Sequence, residues 1–125
     1  MEEIERILAQ NEKHRLDDPI PETAELDQVE KALGRRLPHW YRAFVEFGGL
    51  NDLRFSAEVF GPNELLSNQQ YPPNQDYVAF ASNGCGDLFC WAKSGVSAIY
   101  VWDHESGIFS EAANDFIQWL RQNRF

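Results

Sequence analysis

Two cysteines and one histidine are the residues of this chain most suggestive of chemistry. Cys85 sits in Ser82-Asn83-Gly84-Cys85-Gly86, a run of small residues that would leave a thiol open to solvent, and His104 sits between Asp103 and Glu105. A thiolate nucleophile with an imidazole base, oriented in turn by a carboxylate, is the chemistry such a set could perform. Two facts oppose it. One Cys and one His match no nucleophile motif, and acidic neighbours raise a thiol pKa where catalysis needs it lowered. A metal site built from Cys85, Cys90 and His104 fails on spacing, because the four-residue gap between the cysteines lacks the paired arrangement of structural zinc sites, and His14 and His39 are remote. The glycine-rich run joins strand to strand, so no helix N-terminus awaits a phosphate. The expectation is a protein that is not an enzyme and that uses neither metal nor cofactor.

Those residues must be positioned by the stretch from Tyr77 to Asp103. It reads Tyr77-Val78-Ala79-Phe80-Ala81, then Asp87-Leu88-Phe89-Cys90-Trp91, then Ile99-Tyr100-Val101-Trp102-Asp103, with Gly, Asn and Ser between the runs. Runs of about five β-branched and aromatic residues bounded by turn formers predict an antiparallel meander of three strands. Gly84 and Gly86 fall where the chain reverses, and Asn83-Gly84 tolerates positive φ. The period of two predicts an aliphatic face of Leu88, Cys90, Ile99 and Val101, and an aromatic face of Phe89, Trp91, Tyr100 and Trp102. Aromatic surface near water is the kind enriched at protein interfaces, whereas burial of both faces would make Trp91 and Trp102 core.

Before the meander the pattern is helical. Ile4, Ile7, Leu8 and Asn11 share one side of a helix over about Glu2 to His14, which Asp17-Asp18-Pro19-Ile20-Pro21 stops. Thr23 can cap a second helix with Leu26, Val29 and Leu33 inward, and Gly34 ends it. Pro38 stands at the first turn of a third helix that buries Tyr41, Phe44, Val45 and Trp40, closed by Gly48-Gly49. Alternation over Leu53 to Phe60 predicts a half-buried strand, Gly61 to Leu66 a helical turn, and Ser67 to Gln75 a surface loop. Beyond Asp103, the His104-Glu105-Ser106-Gly107 turn leads to Ile108-Phe109, and Asn114 can cap a last helix that docks Phe116, Trp119 and Leu120 on the sheet.

At 125 residues, with no repeat and no linker, the whole of 1–125 is expected to be one domain. The formal charge is −9, from 20 acidic and 11 basic residues, which repels nucleic acid unless a basic patch exists, and none is visible in the sequence. From Asp76 to Asp115 six acidic residues face a single Lys93. Such a balance serves solubility, or it forms an acidic face that attracts a basic protein. Two cysteines within one hairpin suit a reducing compartment, and no stretch approaches the length of a membrane span or a signal peptide. A cytoplasmic location is expected, without membrane contact.

Four pieces of the chain, in order, resemble the signature of the SUKH superfamily. They are Leu33-Gly34 with Leu37-Pro38, Tyr41, Phe44 and Gly48-Gly49; Phe80-Ala81-Ser82-Asn83-Gly84-Cys85-Gly86-Asp87-Leu88; Val101-Trp102-Asp103-His104-Glu105; and Phe116-Ile117-Gln118-Trp119-Leu120. The resemblance implies an α+β fold with helices packed on a curved, mainly antiparallel sheet. It implies an immunity protein that binds and neutralises a bacterial toxin domain, often a nuclease and therefore basic. Because the superfamily also includes regulators, a scaffold with a non-toxin partner is the alternative. On this reading Gly34, Pro38, Gly84 and Gly86 are structural, Asp87 caps or braces the hairpin, and Asp76, Trp91, Trp102, Asp103 and Glu105 face the partner.

Overall fold

Apolar residues spaced by three and four fold one part of the chain into helices, and β-branched and aromatic runs fold the other into a sheet. The computed structural model describes residues 2–10, 16–69 and 76–124. They form five α-helices and a five-stranded antiparallel sheet, an α+β fold. The chain divides into two compact units, Met1–Arg54 with Gly61–Leu66, and Phe55–Phe60 with Ser67–Phe125.

The first unit holds α1 (Glu3–Ala9), α2 (Thr23–Leu33), α3 (His39–Glu46) and most of α4 (Pro62–Ser67). Helix α1 buries Ile4, Ile7 and Leu8 and packs against α3, which buries Tyr41, Ala43, Phe44 and Val45, while α2 buries Leu26 and Val29. The part of the first helix expected to reach Asn11 and His14 lies outside the described residues. Two caps differ from expectation. Thr23 is the first helical residue of α2, and Glu22, extended and without a side-chain cap bond, precedes it. Pro38 stands one position before α3 rather than in its first turn, where its carbonyl accepts from the Tyr41 and Arg42 N–H groups at 3.1 and 3.2 Å. Gly34 closes α2 in the left-handed conformation at φ 70°. Arg42 then ties α3 to α2, with Nη2 2.7 Å from Asp27 Oδ1 and 3.0 Å from Glu30 Oε2, and its guanidinium is held charged first of all by the bond to Asp27. Glu30 also accepts from the Leu37 N–H at 2.8 Å, which fixes the connection between the two helices.

The second unit is built on a sheet in the sequence order of its strands: β1 (Glu58–Val59), β2 (Tyr77–Ser82), β3 (Leu88–Ala92), β4 (Ile99–Trp102) and β5 (Phe109–Ala113). The three expected meander strands are its centre. The strand expected over Leu53 to Phe60 shrinks to Glu58–Val59, because just upstream Phe55 bridges Arg124 and the Ser56 N–H donates to the Asn123 carbonyl at 2.6 Å. Where β1 gives out, the Gln69 amide imitates a strand, donating to the Ala79 carbonyl at 2.9 Å and accepting from its N–H at 3.2 Å. The segment Phe109–Ala113, expected only as a connection, is a full edge strand.

The register corrects the two faces. Cross-strand partners share a face, and Leu88 pairs with Trp102, Phe89 with Val101, Cys90 with Tyr100 and Trp91 with Ile99. Leu88, Cys90, Tyr100 and Trp102 therefore look one way and Phe89, Trp91, Ile99 and Val101 the other. The alternation within each strand is as expected, but the turn between β3 and β4 sets the phase, and it mixes aromatic with aliphatic on both sides. Helix α5 (Phe116–Gln122) covers the second of these faces. Its buried Trp119 lies 5.1 Å from the ring of Phe80 and 5.2 Å from that of Phe89, both edge-on. The cap of α5 is Asp115 rather than Asn114: Asp115 Oδ1 accepts from the Gln118 N–H at 2.8 Å, and Gln118 reaches back to the Asn114 N–H at 2.6 Å.

Candidate protein-binding surface

The face of the sheet turned away from α5 carries its own aromatic cluster. The ring of Tyr77 on β2 stacks on that of Phe109 on β5, with centroids 4.2 Å apart and planes 11° apart, and meets Tyr100 edge-on at 5.1 Å. Two strands separate β2 from β5, about 14 Å on an open flat sheet, so the stack requires the sheet to curl and the side chains to converge. Ala79 and Cys90 form the small-residue floor of this concave face, both fully buried, and burial pushes the Cys90 thiol up to about 12. The rings themselves remain half-buried. Desolvation, ahead of the nearby Tyr100 and Asp76, raises the Tyr77 hydroxyl. Trp102 pairs with Phe109 and exposed Glu111 pairs with Tyr100, so β5 adds one aromatic and one acidic side chain to this face.

At one end of the sheet the β2–β3 turn and the β4–β5 turn are tied together. Asp87 Oδ1 accepts from the His104 backbone N–H at 3.1 Å and lies 2.7 Å from His104 Nδ1, while Oδ2 accepts from Asn83 Nδ2 at 3.0 Å. The bond from the His104 ring is the main cause that lowers the Asp87 carboxyl, and the same bond raises His104. The imidazole lies over Gly86, where a Cβ would come within 3.0 Å of it at a φ of 104°. Asp103 is committed to its turn, with Oδ1 accepting from the Glu105 N–H at 2.8 Å and the Ser106 N–H at 3.3 Å. Among the described residues, Asp87, Asp103 and His104 form the only trio of ligand-type side chains within 4.8 Å of one another, and the bonds above already occupy it as a brace. The backbone N–H of exposed Cys85 is held by Asn83 Oδ1 at 2.8 Å.

The residues expected to face a partner do not converge. Trp102, Asp103 and Glu105 cluster at the braced end of the sheet. Asp76 lies at the opposite end, where its carbonyl accepts from the Lys93 N–H at 2.8 Å. Trp91, only 6% exposed, points to the α5 side and stacks on Phe80. Sequence reasoning missed Tyr77, Ile108, Phe109 and Glu111, although Ile108 is 63% exposed beside the acidic turn. The signal that could have found them was weak: Phe109 favours a strand, but Ser110, Glu111, Ala112 and Ala113 after it do not. Elsewhere, a shallow groove on the helical unit is lined by Asp27, Glu30, Lys31, Gly34, Arg35 and Arg36, where acid and base offset one another.

A helical segment followed by an antiparallel meander and a closing helix defines the class, an α+β fold whose sheet presents a mixed aromatic and acidic surface. Residues 21–122 match the model of the SMI1 / KNR4 family (SUKH-1), and the chain belongs to that family. No curated protein matches the chain. Among the described residues, no helix is long and apolar enough to cross a membrane.

Proposed function

We propose that this chain is an immunity protein, which binds a basic toxin domain, a nuclease in the simplest case, and neutralises it by stoichiometric association without turnover. Membership of the SUKH-1 family over residues 21–122 is the observation that carries this reading. The charge of −9 supports it, because a nuclease must present a basic surface to its substrate, and opposite charge speeds encounter by roughly ten- to a thousandfold at low salt. On this reading the whole of 1–125 acts as one cytoplasmic, non-catalytic module.

Co-expression with a toxic nuclease domain encoded in the same genome tests it. Growth should be restored, the two chains should elute as an equimolar complex, and the association rate should fall steeply with added salt. Unrelieved toxicity together with no complex on mixing overturns the reading. A stable complex with a non-toxic protein instead would make the chain a regulatory scaffold.

A further inference from the structure

The β4–β5 ladder has a phase that one hydrogen bond fixes. Asp103 N–H donates to the Ile108 carbonyl at 3.0 Å, and the pairs continue as Trp102 with Phe109, Val101 with Ser110 and Tyr100 with Glu111. In an antiparallel ladder hydrogen-bonded and non-hydrogen-bonded pairs alternate, so Val101 and Ser110 exchange bonds while the backbone groups of Phe109 and Glu111 point away from β4. Among the described residues no strand lies beyond β5, and Ser110 and Glu111 are exposed. The opposite margin is different, with a two-residue β1 and the Gln69 amide filling the flank of β2. Among the described residues the sheet thus has one open edge long enough to take a further strand.

The chemistry beside that edge selects its occupant. The hairpin Ile99–Ala113 carries Asp103, Glu105 and Glu111 and neither Lys nor Arg. The side chains of Phe109 and Glu111 stand on the concave face with Tyr100 and Trp102, and exposed Ile108 immediately precedes the strand. A second copy of this chain would bring −9 onto −9 and Glu111 beside its own kind, a charged edge of the sort that resists self-pairing. We propose that β5 takes an extended, basic segment of the partner protein as a sixth strand, with Lys or Arg opposite Glu111 and an apolar side chain against Phe109. This rests on the reading of the chain as a protein binder and adds where the partner docks and what it presents.

The probe is the peptide acetyl-Lys-Val-Lys-Phe-Lys-Val-amide, with its Glu-for-Lys counterpart and a version N-methylated at alternate amides. Titration followed by amide NMR and hydrogen exchange should shift and protect Phe109 and Glu111 with the first peptide alone. Glu111→Lys should weaken it at least tenfold. Glu111→Gln removes only the charge, whereas Glu111→Pro also removes an N–H that β4 does not use, so the Pro variant should lose the binding that the Gln variant keeps. Thermal unfolding checks that both variants fold, and the N-methylated peptide tests the same backbone bonds in the unaltered chain if the Pro variant does not. Unchanged β5 amides, equal binding of the acidic or methylated peptide, or equal binding by the Gln and folded Pro variants would each overturn the proposal. Growth rescue that survives Glu111→Pro removes the edge as the toxin's site while leaving immunity standing. Absence of rescue by the unaltered chain is the separate failure of the immunity reading.

Discussion

Gly84 and Gly86 occupy one turn and both have positive φ, at 82° and 104°, yet they answer to different constraints. A Cβ at Gly84 meets nothing within 4 Å, whereas one at Gly86 meets the His104 ring. Gly84→Ala should therefore cost only the conformational term, about 1–2 kcal/mol. Gly86→Ala should cost more, roughly 2–4 kcal/mol, because the imidazole must also move off Asp87. Urea unfolding reads both costs, and the NMR resonances of His104 should move in the second variant alone. Both glycines were legible as turn residues. The bond between Asp87 and His104 was not, since it joins side chains of two different turns and exists only once two hairpins are in register.

That pair also sets a pH dependence. His104 is raised above its ordinary 6.5, so its contribution is present in full below about 6.5 and is lost as pH rises through its folded value. Asp87 is lowered below 3.8, so its contribution is present above about 3.8 and is lost as pH falls through its folded value. The pair stabilises the fold most between these limits, and both groups are solvent-accessible enough for salt to weaken the effect. An NMR titration should place the His104 midpoint above 6.5 and return it toward 6.5 in Asp87→Asn. The melting temperature of the unaltered chain should fall more between pH 6 and pH 8 than that of the variant. Equal slopes would show that the brace does not depend on charge.

At the scale of the element, α5 is the piece that turns a meander into a core. Trp119 is fully buried among Phe80, Phe89 and Phe116, and among the described residues its indole N–H has no hydrogen-bond partner. Trp119→Ala should cost about 3–5 kcal/mol. Trp119→Phe should cost less than half as much, because a ring is kept and no hydrogen bond is given up. A denaturant series on both variants checks the ratio. Helices α2, α3 and α5 were legible because their apolar residues recur at helical spacing over two or more turns. Strand β5 was not, because Ala, Ser and Glu disfavour strands on their own and it is pairing with β4 that makes them one. The phase of the two sheet faces escaped for a related reason: residue pattern sets which side chains alternate within a strand, but the turn decides how one strand is offset against the next.

Across the whole molecule, what the residues declared most plainly was balance: much acid, enough apolar surface for a core, and two sparing cysteines. The surface where acid and aromatic groups meet took the strand pairing to define, since Tyr77 and Phe109 are 32 positions apart and stack only because the sheet curls. The same curl has a practical corollary. Cys85 stands in the open while Cys90 lies sealed on the concave floor, so a maleimide should react with the two in well-separated phases. The slow phase would act as a stopwatch for β5 peeling from its neighbour, and a ligand clamped along that margin would have to stretch it.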